Sequence, residues 1–337
     1  MDPPASPFVQ PRDASGRFVN LDGSGPPRIA AVFRWAVLDR LAGRRRISPA
    51  HAPVPRVEPD LALLSNPPAP GAPARLTWLG HACFLVQLDG LTLLVDPALR
   101  DAIVGGTRRN VPPGLAVEAL PRIDAVLLTH AHYDHLDKPT LERVRAPVIA
   151  GLGASRYLAT AGGPVTELGW WSSTRLGGVR ATYVPAQHWS RRGLFDMNAA
   201  LWGGFVIEGS AAAVYHSGDS ALFEGFQQIG AAFPGLDAAL LPIGAYDPGW
   251  FMLRQHLSPE QAVRAFQTLG ARTLVGMHWG TFKLSDEPLD EPPQLLDAAR
   301  RQHGLPPERV RVLAVGESLE LARPAAAATR EAAAPER

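Results

Sequence analysis

Residues 129–137 read Thr-His-Ala-His-Tyr-Asp-His-Leu-Asp, and no other stretch of the 337-residue chain restricts its fold so tightly. His130, His132, Asp134 and His135 fall within six positions, directly after the apolar run Ala125-Val126-Leu127-Leu128. A buried strand that ends in a tight loop can aim such side chains at one point, and imidazoles with a carboxylate form the ligand set of zinc-type ions. One loop supplies too few ligands for two ions, so other strand ends should contribute the rest. Three positions have the right setting: His188 after Val179–Val184, Asp219 after the run 212–215, and His278 after the run 273–276. In each, an apolar β-type run leads into a polar residue near Gly or Pro, which is how a strand hands over to a loop.

Composition bounds the remaining choices. The chain is 46% hydrophobic, enough for a full core at this length, as one large domain or two small ones. Lys and Arg number 33 against 32 Asp and Glu, so no global charge pulls the chain toward nucleic acid, and no nucleic-acid partner is expected. A single cysteine, Cys83, excludes an internal disulfide framework and fits a reducing compartment. Its place in an apolar, strand-like run makes it a buried thiol rather than a nucleophile. The start Met1-Asp2-Pro3-Pro4 lacks the pattern of a signal peptide, and no run is long enough to span a bilayer. The expected location is the cytoplasm, with peripheral attachment to a membrane as an option.

The chain divides unevenly. Residues 1–27 read as a disordered or extended N-terminus and 323–337 as a disordered tail. Residues 28–74 read as an amphipathic helix followed by a Pro-rich wrap. In the helix, Ile29, Phe33, Val37 and Leu41 recur at i, i+4 spacing among arginines. That pattern suits peripheral membrane association through residues 28–46, and equally a helix docked on its own enzyme core. Residues 75–322 alternate strands and helices as the main domain. Leu76–Leu79, Cys83–Leu88 and Leu91–Val95 are expected as strands, the last two joined by an Asp89-Gly90 hairpin. Lys138–Val144 and Pro259–Leu269 are expected as helices, the latter capped by Ser258 and ended by Gly270. Two packed sheets with helices outside, an α/β sandwich with the site along one sheet edge, accommodate this order.

The ordered motifs resemble the metallo-β-lactamase superfamily, and within it the branch of N-acylphosphatidylethanolamine-hydrolysing phospholipase D. The resemblance rests on Gly80-His81-Ala82, the stretch 108–113, Thr129 to Asp137, Leu168-Gly169-Trp170-Trp171, Pro185-Ala186-Gln187-His188-Trp189 and Leu201-Trp202-Gly203-Gly204. It continues through the stretch 242–246, Trp250-Phe251-Met252, Gln255-His256 and the stretch 278–282, covering residues 70–320. Gly249 and Ser190 depart from the branch pattern, which bears on lipid specificity rather than on the metal site.

The resemblance implies an αββα sandwich and two Zn²⁺ per chain, with iron or manganese able to occupy the same ligands. It assigns His130, His132 and His188 to one ion, Asp134, His135 and His278 to the other, and Asp219 to both. The implied reaction is phosphodiester cleavage of an N-acylphosphatidylethanolamine-like lipid by a hydroxide shared between the metals. Asp134 is a catalytic candidate as proton acceptor, and His256 as phosphate contact or proton donor. Tyr246, Gln255 and Trp250 are candidate substrate contacts. His81 and Asp96 are expected to support ligands rather than to ligate, and His216 to be structural. The alternative is a lactonase or other carboxyl-ester hydrolase, which would run the same hydroxide against a carbonyl. A phospholipid or another small molecule is thus the expected partner.

Overall fold

The computed structural model describes residues 8–321; residues 1–7 and 322–337, which include the tail expected at 323–337, lie outside the described residues. Fourteen strands form the core: β1 (Ala74–Gly80), β2 (Cys83–Leu88), β3 (Leu91–Val95), β4 (Ala125–Leu128), β5 (Val148–Gly151), β6 (Val165–Leu168), β7 (Ser173–Leu176), β8 (Val179–Val184), β9 (Gly204–Glu208), β10 (Ala213–His216), β11 (Ala238–Pro242), β12 (Thr273–Met277), β13 (Val310–Arg311) and β14 (Ser318–Leu321). They build two seven-stranded sheets, ordered β14-β1-β2-β3-β4-β5-β6 and β13-β12-β11-β10-β9-β8-β7. Each sheet is antiparallel at one end and parallel at the other. The parallel ends need crossovers, and Lys138–Val144, Gly225–Ala232 and Pro259–Leu269 supply helical ones.

The pairing explains where a site can lie. In the first sheet β1, β3 and β4 run in one direction, and in the second β8, β10 and β12 do. Their carboxyl ends therefore share an edge, the usual place for a ligand in an open α/β sheet. The apolar faces of both sheets meet in one core that holds Trp78, Phe84, Tyr183, Trp202, Phe205 and Tyr215. Trp78 of β1 stacks on Trp279, just beyond β12, with centroids 5.4 Å apart, tying the two sheets together beside that edge. Strands β1 and β2 are buried throughout, as expected where both faces are covered. The whole is an αββα sandwich.

Local chemistry sets the elements. Asp89 and Gly90 both take positive φ (51° and 77°), the geometry of the two-residue turn between β2 and β3. Pro259–Leu269 begins with a capping box between Ser258 and Gln261 and ends at Gly270 with φ 67°. It buries Ala262, Val263, Ala265, Phe266 and Leu269 against the second sheet and its neighbouring helices.

The N-terminal part packs more closely than its composition suggests. Residues 8–27 are extended but held along the core: Phe18 is buried, and Phe18 and Asn198 exchange hydrogen bonds. Of the two expectations for this stretch, disordered or extended, the described residues 8–27 take the extended form, fixed by long-range contacts rather than local periodicity. Residues 29–41 form one helical stretch, α-helical over Ile29–Phe33 and Asp39–Leu41 and π-helical over Arg34–Leu38. Beyond it the Pro-rich wrap crosses the sandwich, bridging Arg56 to Val315 and burying Leu64.

Candidate metal centre

Four loops at the shared edge bring the sequence-derived ligands together. After β4, His130 and His132 turn inward, and after β8 His188 joins them. His130 Nε2 and His188 Nε2 lie 2.9 and 3.2 Å from His132 Nδ1, so three nitrogens converge. A second group forms from Asp134, His135 and, after β12, His278; both Nε2 atoms lie 3.7 Å from Asp134 Oδ2. Asp219, after β10, stands between the groups. Its Oδ2 is 3.1 Å from His278, 3.3 Å from His135, 3.9 Å from His188 and 4.0 Å from His130. That is the position of a carboxylate able to touch two ions. Gly218 lets the loop sit there: a Cβ on it would fall 2.7 Å from Thr129 and from the Gly203 carbonyl, and its φ is +59°.

The arrangement leaves polar atoms that protein alone does not satisfy. His132 Nε2, His135 Nε2, both ring nitrogens of His278, His256 Nδ1 and Asp219 Oδ1 are buried without a hydrogen bond. Native interiors seldom tolerate this, and bound cations supply what these lone pairs lack. The donor set of imidazoles and carboxylates fits metal ions, and the cluster is able to hold them.

Protonation points the same way. Burial, reinforced by the neighbouring imidazoles, pushes His132 down to about 3 and holds His130 well below its usual value. Burial likewise pushes His188 down to about 4. These rings are neutral, with lone pairs available. Burial acts the same way on His135 and His278, but the carboxylates around them, Asp219 and Asp134 for both and Asp96 for His135, together outweigh it, holding His135 high and raising His278 to about 9. Burial would raise Asp134 and Asp219, yet the adjacent His135 and His278 keep both carboxyls well below the usual range. Two ionised carboxylates thus attract positive charge to this spot, and a divalent cation meets that demand without protons.

Neighbouring groups aim the ligands. Asp96 accepts from His135 Nδ1 at 2.7 Å and from the Thr129 backbone and hydroxyl at 2.8 and 2.6 Å; the same hydroxyl lies 3.0 Å from His130 Nδ1. His188 Nδ1 donates to the Gln255 carbonyl at 2.8 Å. His81 Nε2 donates to Asp134 Oδ2 at 2.9 Å, and its ring lies in one group with Asp134, His135 and His278, able to hold an ion itself. Such contacts fix ring orientation and tautomer. His81, Asp96 and His278 all take positive φ (56°, 44° and 60°), left-handed conformations that cluster at this edge. His216 donates to the Ala82 carbonyl at 2.9 Å, a structural role.

One supporting residue was not legible beforehand. Asn20 lies in the N-terminal stretch, and its side-chain oxygen accepts the His188 backbone N–H and the Trp202 indole N–H, both at 3.0 Å. Nothing local in the composition of residues 8–27 signals it.

A cavity of about 650 Å³ opens beside His188, lined by Trp189, Trp250, Phe251, Gln255, Arg28, Arg34 and Arg254 among others. Trp250 and Gln255, two of the candidate substrate contacts, both line this cavity. Gln255 also accepts from the Trp189 indole. His256 reaches the centre itself, its Nδ1 3.8 Å from Asp219 Oδ2. It does not cap the following helix, since Ser258 and Gln261 do that. Tyr246, the third candidate contact, lies outside the lining of this cavity, and its hydroxyl donates to Glu291 at 2.6 Å. Trp170 and Trp202 are core side chains rather than cavity walls.

Comparison with known proteins agrees with this geometry. A model of the beta-lactamase superfamily domain matches residues 92–279. An uncharacterized protein of Mycobacterium tuberculosis is 36% identical over 87% of this chain and 81% of its own. The N-acyl-phosphatidylethanolamine-hydrolyzing phospholipase D 1 of Caenorhabditis elegans is 35% identical, over 66% of this chain and 69% of its own. Among solved structures, a metallo hydrolase from Ignicoccus hospitalis superposes with a TM-score of 0.57 at 26% identity, covering 74% of this chain and 98% of its own.

Proposed function

The chain belongs to the metallo-β-lactamase superfamily and is a metal-dependent hydrolase; on that premise we propose that it is a dinuclear zinc phosphodiesterase of phospholipase D type. Its substrate in this reading is an N-acylphosphatidylethanolamine-like lipid. The observation that carries the reading is the junction of two features: ligands for two ions around Asp219, and an adjoining cavity with aromatic walls and arginines. A phosphate with acyl chains needs a cationic centre and an apolar approach. The relative from Caenorhabditis elegans, named for such a substrate, adds support.

His130, His132 and His188 would hold one ion, Asp134, His135 and His278 the other, with Asp219 shared; iron or manganese suits the same donors. When bound, two such ions would lower the pKa of a water to near neutrality and offset charge on the phosphoryl oxygens. The chain's own groups do the rest. Asp134, hydrogen-bonded to His81, would ligate or accept a proton. His256 is more suited to hydrogen bonding than to acid catalysis: burial, then the repulsion of His188 and His278, outweighs Asp219 and holds it well below its usual pKa. As a neutral ring it can donate to a phosphate oxygen. Trp189, Trp250 and Phe251, which line the cavity, would receive the acyl chains.

The chain is read as a cytoplasmic protein that meets the membrane peripherally. Among the described residues no helix is long and apolar enough to cross a bilayer. The deciding experiment quantifies bound metal on purified protein, then offers an N-acylated phosphatidylethanolamine beside a simple lactone. About two zinc ions per chain and release of phosphatidic acid are expected. Lactone opening alone would move the activity to carboxyl-ester hydrolysis, and absence of metal binding would overturn the centre.

A further inference from the structure

The helical stretch 29–41 gives its charged side, not its apolar one, to the cavity beside the metal centre. Ile29, Phe33, Val37 and Leu41 point to solvent, 82, 53, 37 and 81% exposed. Trp35 fixes this orientation by stacking on Phe251 at 5.2 Å and donating to Asp286. Arg28, Ala31 and Arg34, three positions apart and so on one face, then lie along the cavity wall. Arg254 lines the same cavity from the turn after Gly249–Met252. A cavity that received acyl chains alone would be covered best by the apolar stripe, yet this chain covers it with cations.

Among the described residues no acid lines that cavity. Arg28 and Arg254 form no ion pair and no side-chain hydrogen bond there. Arg34 lies over the Trp250 ring at 4.1 Å, and its Nε is 3.5 Å from Asp39, a carboxylate it shares with Arg44. Stacking occupies the flat face of a guanidinium and leaves its N–H edge for an oxyanion. Outside the cavity, by contrast, Arg45 and Arg46 are paired with Asp286 and Glu291. The metal centre does not need the cavity arginines to hold one phosphodiester. Two divalent ions set against Asp134, Asp219 and a hydroxide leave a single positive charge, which one phosphodiester cancels. The arginines are in excess of a monoanionic substrate.

We propose that Arg28, Arg34 and Arg254 form a second anion-binding subsite, and that the preferred substrate is a phosphodiester lipid bearing a further carboxylate or phosphate. The proposal rests on the phosphodiesterase reading for the identity of the substrate, and on the cavity's own charge for the subsite. Three cations facing one space raise its potential and draw anions in. Guanidinium forks match the paired oxygens of a carboxylate or a phosphate. A monoanionic N-acylphosphatidylethanolamine is then cleaved, but less well than a counterpart with a second charge.

The test uses the full, metal-loaded chain and two short-chain lipids kept below micelle formation, N-acylphosphatidylethanolamine and N-acylphosphatidylserine, which differ by one carboxylate. Wild type is expected to favour the serine lipid about tenfold in kcat/KM, the worth of one charge-assisted contact. Arg28→Gln and Arg254→Gln should each bring that ratio toward one, and Arg254→Lys should keep most of it. Both side chains are exposed and unpaired, so metal content should hold, and a ratio taken within one preparation is not imitated by a general loss of activity. Calorimetry supplies a reading without turnover: N-acylserine should bind more tightly than N-acylethanolamine, and Arg254→Gln should remove the difference. Equal handling of the two lipids by wild type overturns the proposal. So does a preference that survives both Gln variants, which would put the carboxylate on the metals. If inorganic phosphate speeds cleavage of the ethanolamine lipid and Arg254→Gln abolishes the effect, the arginines serve a free anion and the substrate-borne reading falls. Cleavage of neither lipid would sink the phosphodiesterase reading, while a binding preference lost in Arg254→Gln would still sustain the subsite.

Discussion

The helix Pro259–Leu269 and the helical stretch 29–41 both carry apolar residues at helical spacing, yet one stripe is buried and the other faces out. The first has a capping box, a left-handed glycine at its end and five apolar side chains packed into the fold. The second has no side-chain cap at Arg28, and among its described residues Asp39 is the one buried side chain. Periodicity announces a stripe but not what covers it. In the first helix the sequence also supplies start and stop signals that agree with a crossover between β11 and β12. In the second no such consistency exists, and tertiary anchors at Trp35 and Arg45 decide which face turns inward.

That contrast can be broken on a single energy scale. Phe266→Ala, in the buried stripe, should cost about 3–5 kcal/mol, read as a lower midpoint in chemical unfolding. A loss under about 1 kcal/mol would mean that the second sheet does not depend on this helix. Asp96→Asn, behind the ligands at the edge these crossovers create, should weaken metal retention about 10–100-fold in a chelator competition. Full retention would make Asp96 a turn residue only. Ser258→Ala should remove about 1 kcal/mol by uncoupling the capping box. Phe33→Ala, in the outward stripe, should change stability by no more than about 0.5 kcal/mol. If Phe33→Ala cost as much as Phe266→Ala, the outward stripe would be a core face after all, and the contrast would collapse.

Much of the sandwich was legible from residues alone. The hairpin at Asp89-Gly90, the strand before His130 and the capped helix at Ser258 each carried local signals that tertiary structure reinforced. The seven proposed ligands were legible for a related reason: each follows a strand-like run, and parallel strands bring such ends to one edge. Less legible were features set by distant contact. Residues 8–27 have no hydrophobic period, so their packing through Phe18 and Asn20 left no trace in composition. The hydrogen bond from the Tyr246 hydroxyl to Glu291 likewise joins residues 45 positions apart and has no local signal.

The hydrogen bonds of Asn20 have a practical meaning for anyone who shortens this protein. The side chain that receives the His188 N–H arrives from a stretch 168 positions earlier. A chain trimmed to its strands and crossover helices would keep every proposed ligand and still expose an unpaired N–H under one of them. Such a shortened chain should be judged by how long it holds its metal, not by whether it folds, because the first turns of the protein are part of the vessel that contains the ion.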